Sequence, residues 1–141
     1  MESKTIITPG RTVTESEIVE FAGLSGDYHP AHTNELYAAQ KSISGRRVAH
    51  GLLILSISEG LFFRTNYFDW ENVPLMTLGF EGVRFPNPTY IGDTIHSELT
   101  LESERESKTH PGMKIMVFNV KVLKQDGTIV CQYNHPIIAR L

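Results

Sequence analysis

The stretch HGLLILSISEGLFF, residues 50–63, determines the expected architecture of this 141-residue chain. Its apolar residues at 52–55 occupy every side of one helical turn, and residues 57, 61, 62 and 63 continue the same character. A helix that is apolar on all sides is buried on all sides. A strand over LLILSIS is the alternative, but the length, the leucine-rich content and Glu59 favour a helix. We therefore predict one long buried helix.

The residues before this stretch are predicted to form shorter helices. Thr14 and Glu17 have the spacing of a capping box. An apolar stripe follows at Ile18, Phe21 and Ala22. Gly23 and Gly26 predict the end of this helix. A second short helix is predicted to start near Thr33, with Leu36, Tyr37 and Ala39 as its apolar residues, and residues 41–47 are predicted to form a polar loop.

Residues 75–139 have the alternation of strands. Apolar residues at 95, 99 and 101 alternate with polar ones, which predicts a half-exposed antiparallel strand. Apolar residues stand at the even positions 76, 78 and 80 and then at the odd positions 83 and 85. Because this change moves the apolar side chains to the other face of a strand, we expect a bulge at Gly82. Residues 113–123 and 128–139 flank KQDG, which predicts a hairpin that turns at Asp126 and Gly127. The predicted fold is α+β: a single domain, residues 1–141, with an antiparallel curled sheet wrapped around one long buried helix.

Composition excludes several classes of protein. Thirteen Lys and Arg oppose sixteen Asp and Glu, so nucleic acid is not an expected partner. No apolar run approaches the roughly 18–20 residues that span a bilayer, and the first residues, MESKTIITPG, do not resemble a secretory signal. We expect a cytoplasmic protein without a membrane partner. The lone Cys131 excludes an intramolecular disulfide and is expected to be an inert buried thiol.

The segment SGDYHPAH, residues 25–32, contains the first candidate site. Asp27 and His32 lie five positions apart on a turn made stiff by Pro30, and such a pair can act on one water as acid and base. The alternative is a helix-capping aspartate and a surface histidine. Asp27, His29 and His32 are also acceptable zinc ligands, but the chain lacks an HExxH motif and a cysteine pair, so no metal is expected.

Two further features lie on the predicted central helix. His50 and Gly51 open it, and the free N–H groups of a first helical turn stabilise a developing oxyanion. A glycine required by close helix packing is the alternative. Glu59 is a carboxylate near the end of the same helix, and we expect it to reach solvent rather than to be buried and hydrogen-bonded. His96, His110 and His135 form no evident constellation.

SGDYHPAH, GRRVAHGLL and FPNPTYIGDT together resemble the MaoC-like (R)-specific enoyl-CoA hydratases and acyl dehydratases. The resemblance is colinear from about residue 16 to residue 141. It implies the hot-dog fold, a role in fatty acid metabolism and at least a homodimer. It also implies reversible syn hydration of a trans-2-enoyl-CoA to an (R)-3-hydroxyacyl-CoA, with an acyl-CoA substrate and no metal or redox cofactor. By the same resemblance Asp27 and His32 are the catalytic pair and Gly51 provides the oxyanion-hole amide.

The chain departs from the family at one position, because His29 stands where the family usually has Asn. We expect this change to affect substrate preference and pH profile. His29, His50, Phe62 and Phe63 are candidate substrate-binding residues, although the aromatic residues at 62–70 could equally close the core. Arg46, Arg47 and Arg84 are candidates to bind the CoA phosphates.

Two other functions remain open at the level of sequence. Hot-dog proteins also include acyl-CoA thioesterases that use a carboxylate on the central helix, and Glu59 is the residue such a mechanism would use. A non-catalytic acyl-CoA-binding subunit would keep the fold without turnover. The intact Asp27 and His32 favour the hydratase over both.

Overall fold

The computed structural model describes residues 4–141. Four helices precede most of the sheet: α1 (Glu15–Ser25), α2 (Pro30–Thr33), α3 (Glu35–Lys41) and α4 (Gly51–Phe63). The seven strands within residues 4–141 are, in chain order, β1 (Thr5–Ile7), β2 (Arg11–Thr12), β3 (Leu75–Thr77), β4 (Glu81–Arg84), β5 (Thr94–Glu106), β6 (Lys114–Lys124) and β7 (Ile129–Ala139). None of the helices described is long and apolar enough to cross a membrane.

Helix α1 begins as its sequence predicts. The Thr14 hydroxyl accepts a hydrogen bond from the Glu17 N–H, and the Glu17 carboxylate accepts one from the Thr14 N–H. Gly26, with φ of 81°, ends the helix by donating its N–H to the Ala22 carbonyl. Gly23 lies within α1, so the prediction that it helps to end the helix is wrong.

The predicted second helix corresponds to α3, which begins two residues after Thr33, and the short α2 before it is an addition to the prediction. Asn34 separates the two helices in an extended conformation, and its side chain caps α3 by accepting a hydrogen bond from the Tyr37 N–H. The residue that α3 buries is Ala38 rather than Ala39, and Leu36 is exposed.

The sheet is antiparallel throughout, with the path β1-β5-β6-β7-β3; β2 also pairs with β5 and β4 with β7. The predicted bulge is confirmed: the register shifts between Glu81 and Arg84, and Gly82 has φ of 62°. The predicted hairpin is confirmed as well, since Gly127 (φ 84°) donates to the Lys124 carbonyl between β6 and β7. The α+β fold, with its sheet curled against one central helix, is therefore as the sequence predicts.

Helix α4 forms the core together with the inner face of the sheet. Leu53, Ile54, Ile57, Leu61 and Phe62 are buried against residues of β5, β6 and β7. At about 1.5–3 kcal/mol for each large side chain, this burial is a major stabilising contribution.

The helix is nevertheless not buried on all sides. Leu52 is 62% exposed, and Ser56 and Gly60 extend the exposed stripe at intervals of four residues. A single curled sheet covers one side of a helix, so the remaining stripe faces outward. Cys131 is buried as predicted, and burial raises the pKa of its thiol to about 11.

Candidate active site

Asp27 and His29 occupy the turn between α1 and α2. The Asp27 Oδ1 accepts a hydrogen bond from the His29 N–H at 3.2 Å, and the His29 Nδ1 accepts one from the Ala31 N–H at 3.1 Å. Pro30 then opens α2 with a backbone angle already suited to a helix. Each side chain thus makes one local hydrogen bond, and the second carboxylate oxygen of Asp27, Oδ2, takes no part in it.

That second oxygen lies near His32. The distance from Asp27 Oδ2 to His32 Nε2 is 3.9 Å, too long for a direct hydrogen bond. His32 Nδ1 lies 2.7 Å from the Val48 carbonyl oxygen. A carbonyl only accepts, so Nδ1 carries the proton and the neutral ring presents the lone pair of Nε2. Two acceptors at this separation suit one bridging water that donates a hydrogen to each.

The environment of His32 favours its neutral form. Its pKa lies below the usual value of 6.5, mainly because burial disfavours the charged ring, and because the nearby His50 and His29 add to this. The hydrogen bond to Val48 and the Asp27 charge act in the opposite direction. The His32 side chain is 15% exposed and the Asp27 side chain 54%. His32 is therefore not a surface histidine, and Asp27 is not a helix cap: its Oδ1 accepts from the N–H of His29, and His29 is itself the N-cap of α2.

His50 is buried against the same turn, contrary to its expected role in substrate binding. Its Nε2 donates to the main-chain carbonyl of Asp27 at 3.0 Å, and its ring stacks on His32 at 3.8 Å with an angle of 24°. Phe21 contacts the ring edge-on. Nδ1 of His50 is buried without a hydrogen-bond partner among residues 4–141. The spacing of these residues in the sequence does not reveal this arrangement, although the position of His50 directly before Gly51 indicates that it lies near the site.

The metal-ligating atoms that come together here belong to Asp27, His32 and His50, within 4.8 Å of one another. The sequence had suggested His29 instead of His50, but His29 Nδ1 caps α2. The stacked rings of His32 and His50 direct their nitrogen lone pairs along nearly parallel planes. The expectation that the chain binds no metal stays a prediction.

A cavity of about 800 Å³ lies at the N-terminal end of α4. Its lining includes His29, Val48, Gly51, Ile54, Phe85 and Val130. A Cβ atom added to Gly51 would lie 2.9 Å from two ring carbons of Phe85, so any side chain at this position would displace that ring. The close approach of Phe85 supports the packing explanation for this glycine, and the adjoining cavity gives a ligand access to the same backbone.

The candidate aromatic residues lie elsewhere. Phe62 is 1% exposed and packs in the core against Phe118 and Phe68, so its expected role in substrate binding is wrong. Phe63 and Trp70 line a separate cavity of about 410 Å³ at the other end of α4. Neither Phe62 nor Phe63 is among the described residues that line the large cavity.

Arg47 is also committed to other contacts. Its side chain is 6% exposed and donates to Glu15 at 2.6 Å and Glu35 at 3.0 Å, while its Nε donates to the His32 carbonyl at 2.8 Å. These contacts connect α1, α2 and α3, and the hydrogen bond to Glu15 is the main reason why the pKa of Arg47 is raised. Arg47 is thus a structural residue and not a phosphate ligand. Arg46 stacks on the ring of Tyr90 at the cavity rim, 3.7 Å from its centroid.

Glu59 forms a second carboxylate–imidazole pair that the sequence did not reveal. Its Oε1 lies 3.1 Å from Nε2 of His135, a fully buried residue of β7 whose Nδ1 contacts the Gly79 carbonyl oxygen at 3.0 Å. The Glu59 side chain is 24% exposed, so the expectation of a solvated carboxylate is wrong, as is the statement that His135 forms no constellation. The separation of 76 positions along the chain explains why spacing could not predict the pair.

Comparison with known proteins identifies the family of the chain. Residues 2–122 match the family described as MaoC like domain, and the chain belongs to that family. It is 42% identical over 95 residues to Protein MaoC of Klebsiella aerogenes, a match that covers 67% of this chain and 27% of that protein. It is 38% identical over 92 residues to an (R)-specific enoyl-CoA hydratase of Rhodospirillum rubrum, covering 64% and 59% of the two chains. The matches thus span about a quarter to three fifths of these relatives.

Two solved structures show the same architecture. A protein of Archaeoglobus fulgidus, described as a monoamine oxidase regulatory protein, has 30% identity and a TM-score of 0.89, with 99% of this chain and 90% of that chain covered. A Mycobacterium tuberculosis protein described as having a double hotdog fold has 15% identity and a TM-score of 0.82, with 99% and 42% covered. The expected hot-dog fold is confirmed.

Proposed function

We propose that this chain catalyses the reversible syn hydration of a trans-2-enoyl-CoA to an (R)-3-hydroxyacyl-CoA. The observation that supports the proposal most directly is the 3.9 Å separation between Asp27 Oδ2 and His32 Nε2, with both atoms available as acceptors. Membership of the MaoC-like family and the named hydratase relative support the same chemistry.

In this mechanism the water donates one hydrogen to Asp27 and the other to His32. Asp27 takes its proton as the hydroxyl forms a bond to C3 of the enoyl group. The electrons of the double bond shift toward the thioester oxygen, and the proton then passes to C2 on the same face. Each positioned acid–base step contributes about 10²- to 10⁴-fold in rate. The hydrogen bond that His32 Nδ1–H donates to the Val48 carbonyl keeps His32 in the tautomer that this step requires.

Gly51 is proposed to stabilise the enolate through its N–H at the start of α4. First-turn amides have no partner within the helix, and one oxyanion donor contributes about 10²- to 10³-fold. The acyl group would enter the cavity that Gly51 lines, where Ile54 and Val130 offer apolar contacts. Lys41 and Arg46 at or beside the rim are the proposed contacts for the phosphates of CoA. The steps use protein groups and water, so we propose that no metal or redox cofactor is needed.

Loss of the conjugated enoyl-thioester absorbance of crotonyl-CoA tests this proposal. Asp27→Asn and His32→Gln should each lower turnover at least ~10²-fold while the thermal unfolding midpoint stays near that of wild type. Asp126→Asn is the matched control, because Asp126 also accepts a hydrogen bond from a main-chain N–H two residues on, at Thr128, in a distant turn. Equal rates in wild type and both site variants would refute the assignment.

The assay also distinguishes the alternatives. Release of free CoA thiol without hydration would indicate a thioesterase, but Glu59 is bound to His135 and does not contribute to the described lining of the large cavity. Binding of enoyl-CoA without product would indicate a non-catalytic subunit. Either result would refute the hydratase proposal.

We also propose that the chain forms a homodimer or a higher homo-oligomer. Met76, Leu78, Phe80 and Phe85 are exposed on or beside β3 and β4, and Leu52 is exposed on α4. Exposed apolar residues in such numbers are typical of an association surface. Sedimentation equilibrium should give at least twice the chain mass, and a monomer at micromolar concentration would contradict this.

A further inference from the structure

His50 connects the three parts of the proposed site without lining the cavity. It precedes Gly51, it donates from Nε2 to the carbonyl of Asp27 at 3.0 Å, and it stacks on His32 at 3.8 Å. It is 3% exposed, so both contacts are made by a buried ring. Loss of the Nε2–H donor would leave the Asp27 carbonyl without this hydrogen bond.

The hydrogen bond from His50 to the Asp27 carbonyl holds the turn around Asp27, which has few other contacts with the rest of the fold. The Asp27 side chain is 54% exposed, and local hydrogen bonds of its turn run from the Asp27 N–H to Ser25 Oγ at 3.1 Å, from the Tyr28 N–H to the Gly26 carbonyl at 3.2 Å and from the His29 N–H to Asp27 Oδ1 at 3.2 Å. His50 lies 23 residues further along the chain, so it provides a bond between this turn and the core helix. His32, by contrast, has its own bond to Val48.

We infer that His50 is a positioning residue: its Nε2–H holds the Asp27 main chain so that the carboxylate stays within one water of His32. This inference rests on the proposed hydration. The essential group is the hydrogen-bond donor and not the aromatic ring. His50 therefore acts through Asp27 and makes no contact with substrate.

Two substitutions separate this role from simple packing. His50→Gln keeps an N–H donor at similar reach but lacks the ring. His50→Phe keeps a flat ring against His32 and Phe21 but lacks the donor. If the donor matters, the Gln variant stays within about threefold of wild-type kcat, and the Phe variant loses about tenfold or more, with little change in KM. If His50 only fills space, the order of the two variants is reversed.

A second measurement does not depend on turnover. Amide hydrogen exchange of residues 26–29 should accelerate in His50→Phe and not in His50→Gln, because the anchoring of the turn differs. Three results together would support both proposals. Wild-type protein turns over and Asp27→Asn does not, the exchange of residues 26–29 accelerates only in His50→Phe, and kcat is higher in His50→Gln than in His50→Phe. Exchange unchanged in His50→Phe, or higher activity in His50→Phe than in His50→Gln, would overturn the positioning role. Absence of wild-type turnover would overturn the hydratase proposal, while the exchange measurement would still test the anchor.

Discussion

Gly51→Ala tests the start of α4 with a single methyl group. The added Cβ would lie 2.9, 2.9 and 3.0 Å from three ring carbons of Phe85, whereas ordinary contacts begin near 3.4 Å. The ring must therefore move by about 0.5 Å or more, and at 44% exposure Phe85 has room to do so. Overpacking of this kind costs about 1–3 kcal/mol, and replacing glycine by alanine in a helix offsets about 1 kcal/mol. We expect the free energy of unfolding to fall by about 0–2 kcal/mol.

The expected effect on activity is much larger. The methyl group and the displaced ring would keep a thioester oxygen from the Gly51 amide, so kcat/KM for crotonyl-CoA should fall at least ~10²-fold. Chemical denaturation and the absorbance assay measure the two quantities on the same protein samples.

Gly60→Ala is the matched control on the same helix. Gly60 is exposed, and no described atom apart from its own helix backbone and chain neighbours lies within 4 Å of its added Cβ. This substitution should stabilise the protein by about 0.5–1 kcal/mol and leave activity unchanged. In a Phe85→Leu background, Gly51→Ala should cost little stability and still lose activity. Wild-type kcat/KM in Gly51→Ala, in either background, would refute the oxyanion role.

Three further predictions concern other pairs in the structure. Glu59→Ala should lower the free energy of unfolding by about 1–3 kcal/mol, since it leaves the buried His135 without its Nε2 partner, yet it should keep hydration within about threefold; a larger loss of hydration would contradict this. The folded-state pKa of His32 is below 6.5, so the unfolded chain takes up the proton first as the pH falls. The free energy of unfolding should therefore decrease as the pH drops from 6.5 through the folded pKa. His32→Gln should flatten this pH dependence in urea titrations, and an unchanged slope of stability against pH would contradict the prediction. Asp93→Ala should lower the free energy of unfolding by about 2–3 kcal/mol, because it removes the acceptor for the Tyr90 N–H, Gln125 and Lys124. A urea unfolding midpoint equal to that of wild type would count against this.

Features that depend on neighbouring residues could be predicted from the sequence. The capping box of Thr14 and Glu17 uses residues three apart, the turn at Gly127 joins adjacent strands, and the bulge at Gly82 follows from a change of parity. In each case the contact and the pattern have the same short range. The helical state of α4 follows in the same way from its composition.

Features that depend on the path of the chain could not be predicted. Leu52 has the same chemistry as Leu53, and only the side that the sheet leaves uncovered determines which of them is exposed. The partners His50 and Asp27 are 23 residues apart, and Glu59 and His135 are 76 apart. Both histidines take part in tertiary contacts that no spacing rule encodes. The segment around Asp27 could be recognised as a candidate site because Asp27 and His32 are only five positions apart in the sequence.

The position of β7 in the sheet has a consequence for how the chain folds during its synthesis. This strand lies between β6 and β3 and also pairs with β4, so residues 129–139 complete the sheet that covers α4. During synthesis, the apolar residues of α4 leave the ribosome more than sixty residues before that cover exists. The growing chain must keep them from other hydrophobic surfaces for several seconds at about 5–20 residues per second. A nascent chain stalled before residue 129 should therefore recruit chaperones, whereas one that has released residue 139 should not.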